Sequence, residues 1–302
     1  MSNPVPDVAV QPQPLVVQPL DIQHDTDPAD DHGPARRIPH LGHAVLFLTL
    51  TLFLELVCLS AGVTVVSHAR HVTRESAASY HPLALLAAQG IGYILTLLLS
   101  AWLFSRLWER PFLNGIEWNS LALLRRWFWL PPVGMVLSVA AQYALHFIPT
   151  SGGAPIEDLF TSARSVWATA AMAILLGPVF EEIAFRGFLL PALATAYDWL
   201  ALERTPAGLE RWQKSTRHSR SALVFAAVIS SIPFALMHAA QISFAWGAVG
   251  VLYCVSLALS YIRIRTHSVA CSTLVHMTYN LTIFAIIYIS TGGFHHLDQF
   301  LK

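Results

Sequence analysis

Three short stretches hold most of the side chains in this sequence that could do chemistry in an apolar setting. Residues 177–187 read GPVFEEIAFRG and contain Glu181, Glu182 and Arg186. Residues 231–240, SIPFALMHAA, place Phe234 and His238 four apart, and residues 276–280, HMTYN, place His276 and Asn280 four apart. An ionisable side chain in a membrane span costs at least about 2.5 kcal/mol, so its default reading is functional. Glu182 and Arg186 are i,i+4 in the favourable order and share one helix face, so that pair neutralises itself and can simply fix its helix. Glu181 points about 100° away around the helix and has no local partner. One unpaired carboxylate, two imidazoles and an amide on three apolar segments can converge in a single polar pocket of a helix bundle. Such a pocket can hold a metal such as Zn²⁺ through Glu181, His238 and His276, or activate a water. Residue types and spacing alone leave a protease, a transporter and a channel all open.

The elements that must position these groups are hydrophobic helices. The chain has 302 residues, 55% of them hydrophobic and 12% charged, against about 25% charged in an ordinary soluble domain. This composition predicts an all-α, multi-pass integral membrane protein in the lipid bilayer. The zero net charge points to no nucleic-acid partner. About 20 apolar residues cross a bilayer, which gives spans at 43–66, 83–105, 128–148, 166–200, 221–240, 243–262 and 269–290. The fourth is long and contains Pro178 and Pro191, so it is expected to be tilted, kinked or broken, and splitting it would give eight spans instead of seven. With seven spans and a cytoplasmic N-terminus, thirteen Lys and Arg fall in inside segments and four outside, with Arg186 within a span. Splitting the fourth span leaves seven inside and ten outside. Seven spans with the N-terminus inside is therefore the expected topology. Residues 1–40, rich in Pro, Asp and His, read as a disordered cytoplasmic tail. Its His24, His32 and His40 have no fixed ligand geometry. Residues 41–162 form three N-terminal spans, 163–290 the segment with the polar motifs, and 291–302 a C-terminal tail. Cys58, Cys254 and Cys271 lie in apolar segments without CxxC spacing and read as packing residues. Glu55 in the first span and Asp198 in the fourth are further ionisable groups. Glu55 is expected in a structural role, with the polar cavity or competition for Arg186 as its other readings.

The three stretches taken together resemble the CPBP family of intramembrane proteases, which includes the CAAX prenyl endopeptidases and the bacteriocin self-immunity proteins. The order EExxxR, FxxxH, HxxxN is met here by Glu181-Glu182-Ile183-Ala184-Phe185-Arg186, Phe234 to His238, and His276 to Asn280. The flanking Pro178 and Gly187, and the arginine-containing SYIRIRTHSVACSTLVH before the last motif, are similar too. The resemblance covers roughly 163–290. No HExxH and no GxSG is present, so the zincin and serine-protease patterns are not met.

The resemblance implies an intramembrane endopeptidase acting on a membrane-anchored peptide or protein. Glu181 would be the general base, His238 would orient the water, His276 with Asn280 would stabilise the oxyanion, and Glu182, Arg186 and Phe234 would support them. Whether Zn²⁺ on Glu181, His238 and His276 takes part stays open, with the balance towards a metal-independent water. Two readings stand beside hydrolysis: a non-cleaving immunity or scaffold protein of the same fold, and a proton-coupled transporter. On straight, upright helices His238 would lie near the outer end of its span and His276 nearer the inner end, which puts the two at different depths.

Overall fold

The computed structural model describes residues 37–80, 82–148 and 162–297, and over these residues it contains helices and loops but no strand. In chain order the helices are α1 (Leu41–Arg70), α2 (Arg74–Tyr80), α3 (Pro82–Trp108), α4 (Phe112–Gly115), α5 (Ser120–Arg126), α6 (Leu130–His146), α7 (Ala163–Leu200), α8 (Pro206–Lys214), α9 (Arg220–Met237), α10 (Trp246–Thr266) and α11 (Val269–Ser290). Of the tail expected at 1–40, residues 1–36 with His24 and His32 lie outside the described residues, as do the last residues from 298, whereas residues 37–40 are described and the His40 side chain caps α1.

Among the described residues, α1, α3, α7, α9, α10 and α11 are long and apolar enough to cross a membrane. The count rises to seven if α5 with α6, which meet at a bend of 79°, make one broken span and not a re-entrant loop. The segment expected as a span at 128–148 is occupied mainly by α6, which is entered from a short helix turned away from it. Pro131 and Pro132 explain the break. They lack N–H groups and fit the first turn of a helix, where those donors would have no partner anyway.

α7 settles the question of the long fourth span: it is one helix of 38 residues. Each of its prolines follows a π-helical segment, Met172–Leu176 before Gly177-Pro178 and Ile183–Leu189 before Leu190-Pro191. Gly177 N–H bonds to Met172 O and Leu190 N–H to Phe185 O, both five residues back. A proline inside an α-helix collides with the carbonyl four residues earlier. The wider π turn relieves that collision and lets the helix continue.

Close packing holds the spans together. α1 lies along α3, α9 lies between α7 and α10, and α6 lies along α11. Gly134 of α6 is needed for the last of these contacts, because a Cβ there would sit 2.5 Å from Val275 O and 2.8 Å from the Thr278 side chain. Val275 precedes His276, so this glycine sets the depth at which α11 carries its histidine. Gly134→Ala should lower stability by about 1–3 kcal/mol, since backbone atoms must move to admit the methyl group. A thermal unfolding midpoint in detergent equal to the parent's would refute this.

Glu55 on α1 packs its carboxylate against Gly92 of α3, where a side chain would collide with it. It lies outside the polar cavity described below, and Arg186 bonds to Glu182, so neither alternative considered for Glu55 is met.

Candidate active site

Glu182 and Arg186 are fully buried on α7. Arg186 Nη1 donates to Glu182 Oε1 at 2.8 Å. Arg186 Nη2 donates to both the carbonyl and the hydroxyl oxygen of Ser256 on α10, each at 2.8 Å. The guanidinium also lies over the Phe234 ring, 4.6 Å from its centroid, an attraction between cation and π-face that strengthens away from water. Two adjacent spans are therefore clamped to α7 by one buried arginine.

His276 joins this base to the cavity above it. Its Nδ1 lies 3.1 Å from Glu182 Oε1. A carboxylate only accepts, so Nδ1 carries the proton and the Glu182 contact fixes the tautomer. Its Nε2 then faces Glu181 Oε2 at 3.9 Å, beyond a direct hydrogen bond but within an ion-pair distance. Glu181 Oε2 is buried and no protein group among the described residues hydrogen-bonds to it.

His238 follows α9 directly. Its Nδ1 donates to Phe234 O at 2.9 Å, since a carbonyl only accepts, which leaves Nε2 as an acceptor. Phe234 is buried and touches both imidazoles, with ring centroids 5.2 Å from His238 and 5.9 Å from His276. The two histidines are thus brought around one aromatic ring. The depth mismatch expected for upright helices disappears for a specific reason. Val269 N–H, at the start of α11, donates to Glu117 O at 3.1 Å, and the neighbouring Ile116 packs on Gly187 of α7. α11 therefore begins level with the middle of α7, well above that helix's C-terminal end.

Asn280 Nδ2 donates to Ala173 O at 2.6 Å. That carbonyl has lost its helical partner, because Gly177 N–H goes to Met172 O and the next residue, Pro178, has no N–H. The proline thus creates the acceptor that anchors Asn280, and the second Nδ2 proton is free to face the cavity.

Glu181, Phe234, His238, His276 and Asn280 all line one cavity of about 660 Å³ whose remaining wall is mainly apolar. Glu182 and Arg186 lie beneath it and do not line it. Sequence reasoning missed several contributors. Gln89 and Tyr93 of α3 also line the wall, Gln89 Nε2 donating to Tyr93 Oη at 3.0 Å, and Tyr93 stacks flat on Phe180 at 3.9 Å. Ser256 and the Ala173 carbonyl were missed as well. Only the carbonyl had a sequence signal, in Pro178.

Among the described residues no three His, Cys, Asp or Glu side chains are arranged to hold a metal ion. Glu181, His238 and His276 share the cavity without forming a ligand set.

The sequence profile of type II CAAX prenyl endopeptidases, Rce1-like, matches residues 162–282. No curated protein and no solved structure gives a significant match.

Proposed function

We propose that the chain, whose residues 162–282 match the Rce1-like type II CAAX prenyl endopeptidases, hydrolyses a peptide bond of a membrane-anchored substrate with a water activated by Glu181. The observation that carries this reading is the sharing of one cavity by Glu181, His238, His276 and Asn280, with the charge-neutralising pair Glu182–Arg186 buried below.

In this reading a water gives one hydrogen bond to the Glu181 carboxylate and one to His238 Nε2. Both are acceptors, so the water's lone pair is left for the substrate carbonyl. Glu181 takes a proton as the hydroxide adds to carbon, which is general-base catalysis worth roughly 10²–10⁴ in rate. That proton can pass to His276 Nε2, 3.9 Å away, giving an imidazolium held by Glu182 on its other nitrogen. The free Asn280 N–H and the His276 Nε2–H then face the oxyanion. As the C–N bond breaks, the proton passes to the departing amine. The products are a carboxylic acid and an amine, which exchange the remaining proton to become carboxylate and ammonium, and the site returns to its starting protonation. The apolar wall of the cavity suits the lipid-like or transmembrane part of such a substrate.

The test is hydrolysis of quenched-fluorescence lipopeptides by purified protein in detergent, parent against variants. Asn280→Ala should lower the rate by about 10²–10³, the usual loss for one oxyanion donor. A rate near the parent's would remove Asn280 from the chemistry. No step above is routed through a metal, so chelator treatment should leave the parent rate unchanged. Loss of activity restored by Zn²⁺ would instead assign water activation to an ion on Glu181, His238 and His276.

A further inference from the structure

The two ends of the bundle can be told apart by their contacts. At one end Asp198, near the end of α7, meets His218, just before α9, at 2.9 Å. At the same end Arg263 in the last turns of α10 bonds to Glu117 at 2.7 Å. At the other end Trp167 of α7 packs on Tyr288 of α11, and Gly247 of α10 packs on Ile148, just beyond α6.

The cavity belongs to this second end. Its wall uses Thr169 to Glu181 of α7, Ala248 to Val255 of α10 and His276 to Ile287 of α11, with Leu145 at the end of α6 and Leu86 at the start of α3. No lining residue comes from the opposite halves of α3, α7, α9 or α10. There the bundle is closed by the buried Glu182–Arg186–Ser256 clamp and by a packed aromatic cluster that includes Phe47, Phe104, Trp108 and Phe188.

Charge lies at the closed end. Arg106 and Arg110 precede α4, and Arg125 and Arg126 end α5. The segment 203–220 holds five more Lys and Arg, and Arg263 and Arg265 end α10. The open end has Arg70, Arg74 and Arg164 among the described residues. Basic residues near span ends stay on the cytoplasmic side.

We infer that the cavity opens to the non-cytoplasmic face, and that its substrates are membrane-anchored chains whose cleaved segment lies at the non-cytoplasmic leaflet. The substrate half of this inference rests on the hydrolysis proposed above; the orientation half does not. A chain presented from the cytoplasm would have to pass the clamp and the aromatic cluster to reach Glu181.

Cysteine labelling tests the orientation without any substrate. Gln241→Cys, exposed in the turn before α10 and on the cavity wall, and Ser290→Cys, exposed at the end of α11, report the open end. Gln213→Cys, exposed on α8, reports the closed end. The parent, whose cysteines all lie in apolar helices, is the blank. In intact spheroplasts a membrane-impermeant maleimide should label Gln241→Cys and Ser290→Cys, and Gln213→Cys only after permeabilisation. The reverse pattern would overturn the inference. If one reporter at the open end fails to accumulate, the other serves.

A second arm adds a quenched lipopeptide to the outside of right-side-out and inverted vesicles. Cleavage should occur in the right-side-out vesicles. Cleavage in inverted vesicles alone would overturn the substrate class. Cleavage in neither would overturn the hydrolysis reading while the labelling result stands.

Discussion

Glu181→Gln should abolish measurable hydrolysis while the protein stays as stable as the parent. The amide matches the carboxylate in shape but cannot accept the water's proton. The loss expected for a missing general base is roughly 10²–10⁴ in rate. Stability should hold because Glu181 is not part of the clamp. Arg186 is bonded to Glu182 and Ser256, and among the described residues no protein group hydrogen-bonds to Glu181 Oε2. The control is the thermal unfolding midpoint in detergent, measured on the same preparation as the rate. Parent-like hydrolysis by Glu181→Gln would sink the mechanism. An inactive parent on every lipopeptide, with proton flux in vesicles that Glu181→Gln blocks, would favour the transporter reading. A parent that neither cleaves nor transports would favour a scaffold.

How much of this was legible in the sequence depended on how local each interaction is. The Glu182–Arg186 pair could be read because both partners lie on one helix at a fixed spacing. The same geometry turned Glu181 away from that pair and towards other spans. The partners across helices could not be read. Ser256 is one of many small polar residues in apolar spans, and nothing local marks it as the arginine's acceptor. The depth of His276 was misjudged because equal, upright spans were assumed. The segment 116–119 instead starts α11 partway along α7, through Val269 N–H and Glu117 O. The bend before α6 was marked by Pro131 and Pro132, yet the apolar residues Phe128 and Trp129 let the expected span begin within it. Pro178 and Pro191 were read as tilting, kinking or breaking the fourth span. Two π segments absorb them, and one of these supplies the carbonyl that anchors Asn280.

Removing Glu182 should have the largest effect on stability. Glu182→Ala leaves Arg186, fully buried, with its charge facing Ser256 and the Phe234 ring but no carboxylate bonded to it. Breaking a buried ion pair from one side typically costs about 3–5 kcal/mol, a large part of a protein's margin. The variant should therefore unfold at a much lower temperature in detergent and accumulate poorly in membranes. Replacing both partners separates the pair's two roles. Glu182→Leu with Arg186→Met fills similar volume without charge, and such exchanges are often neutral for stability. The double variant should recover most of the unfolding midpoint. It should not recover hydrolysis, because His276 Nδ1 loses the acceptor that now holds it at 3.1 Å. Without that contact the imidazole is free to turn or to change tautomer, and its Nε2 no longer faces Glu181 in a fixed state. A single variant as stable as the parent would show that the clamp does not hold the bundle. A double variant as active as the parent would confine Glu182 to neutralising Arg186 and leave His276 positioned by packing around Phe234 alone.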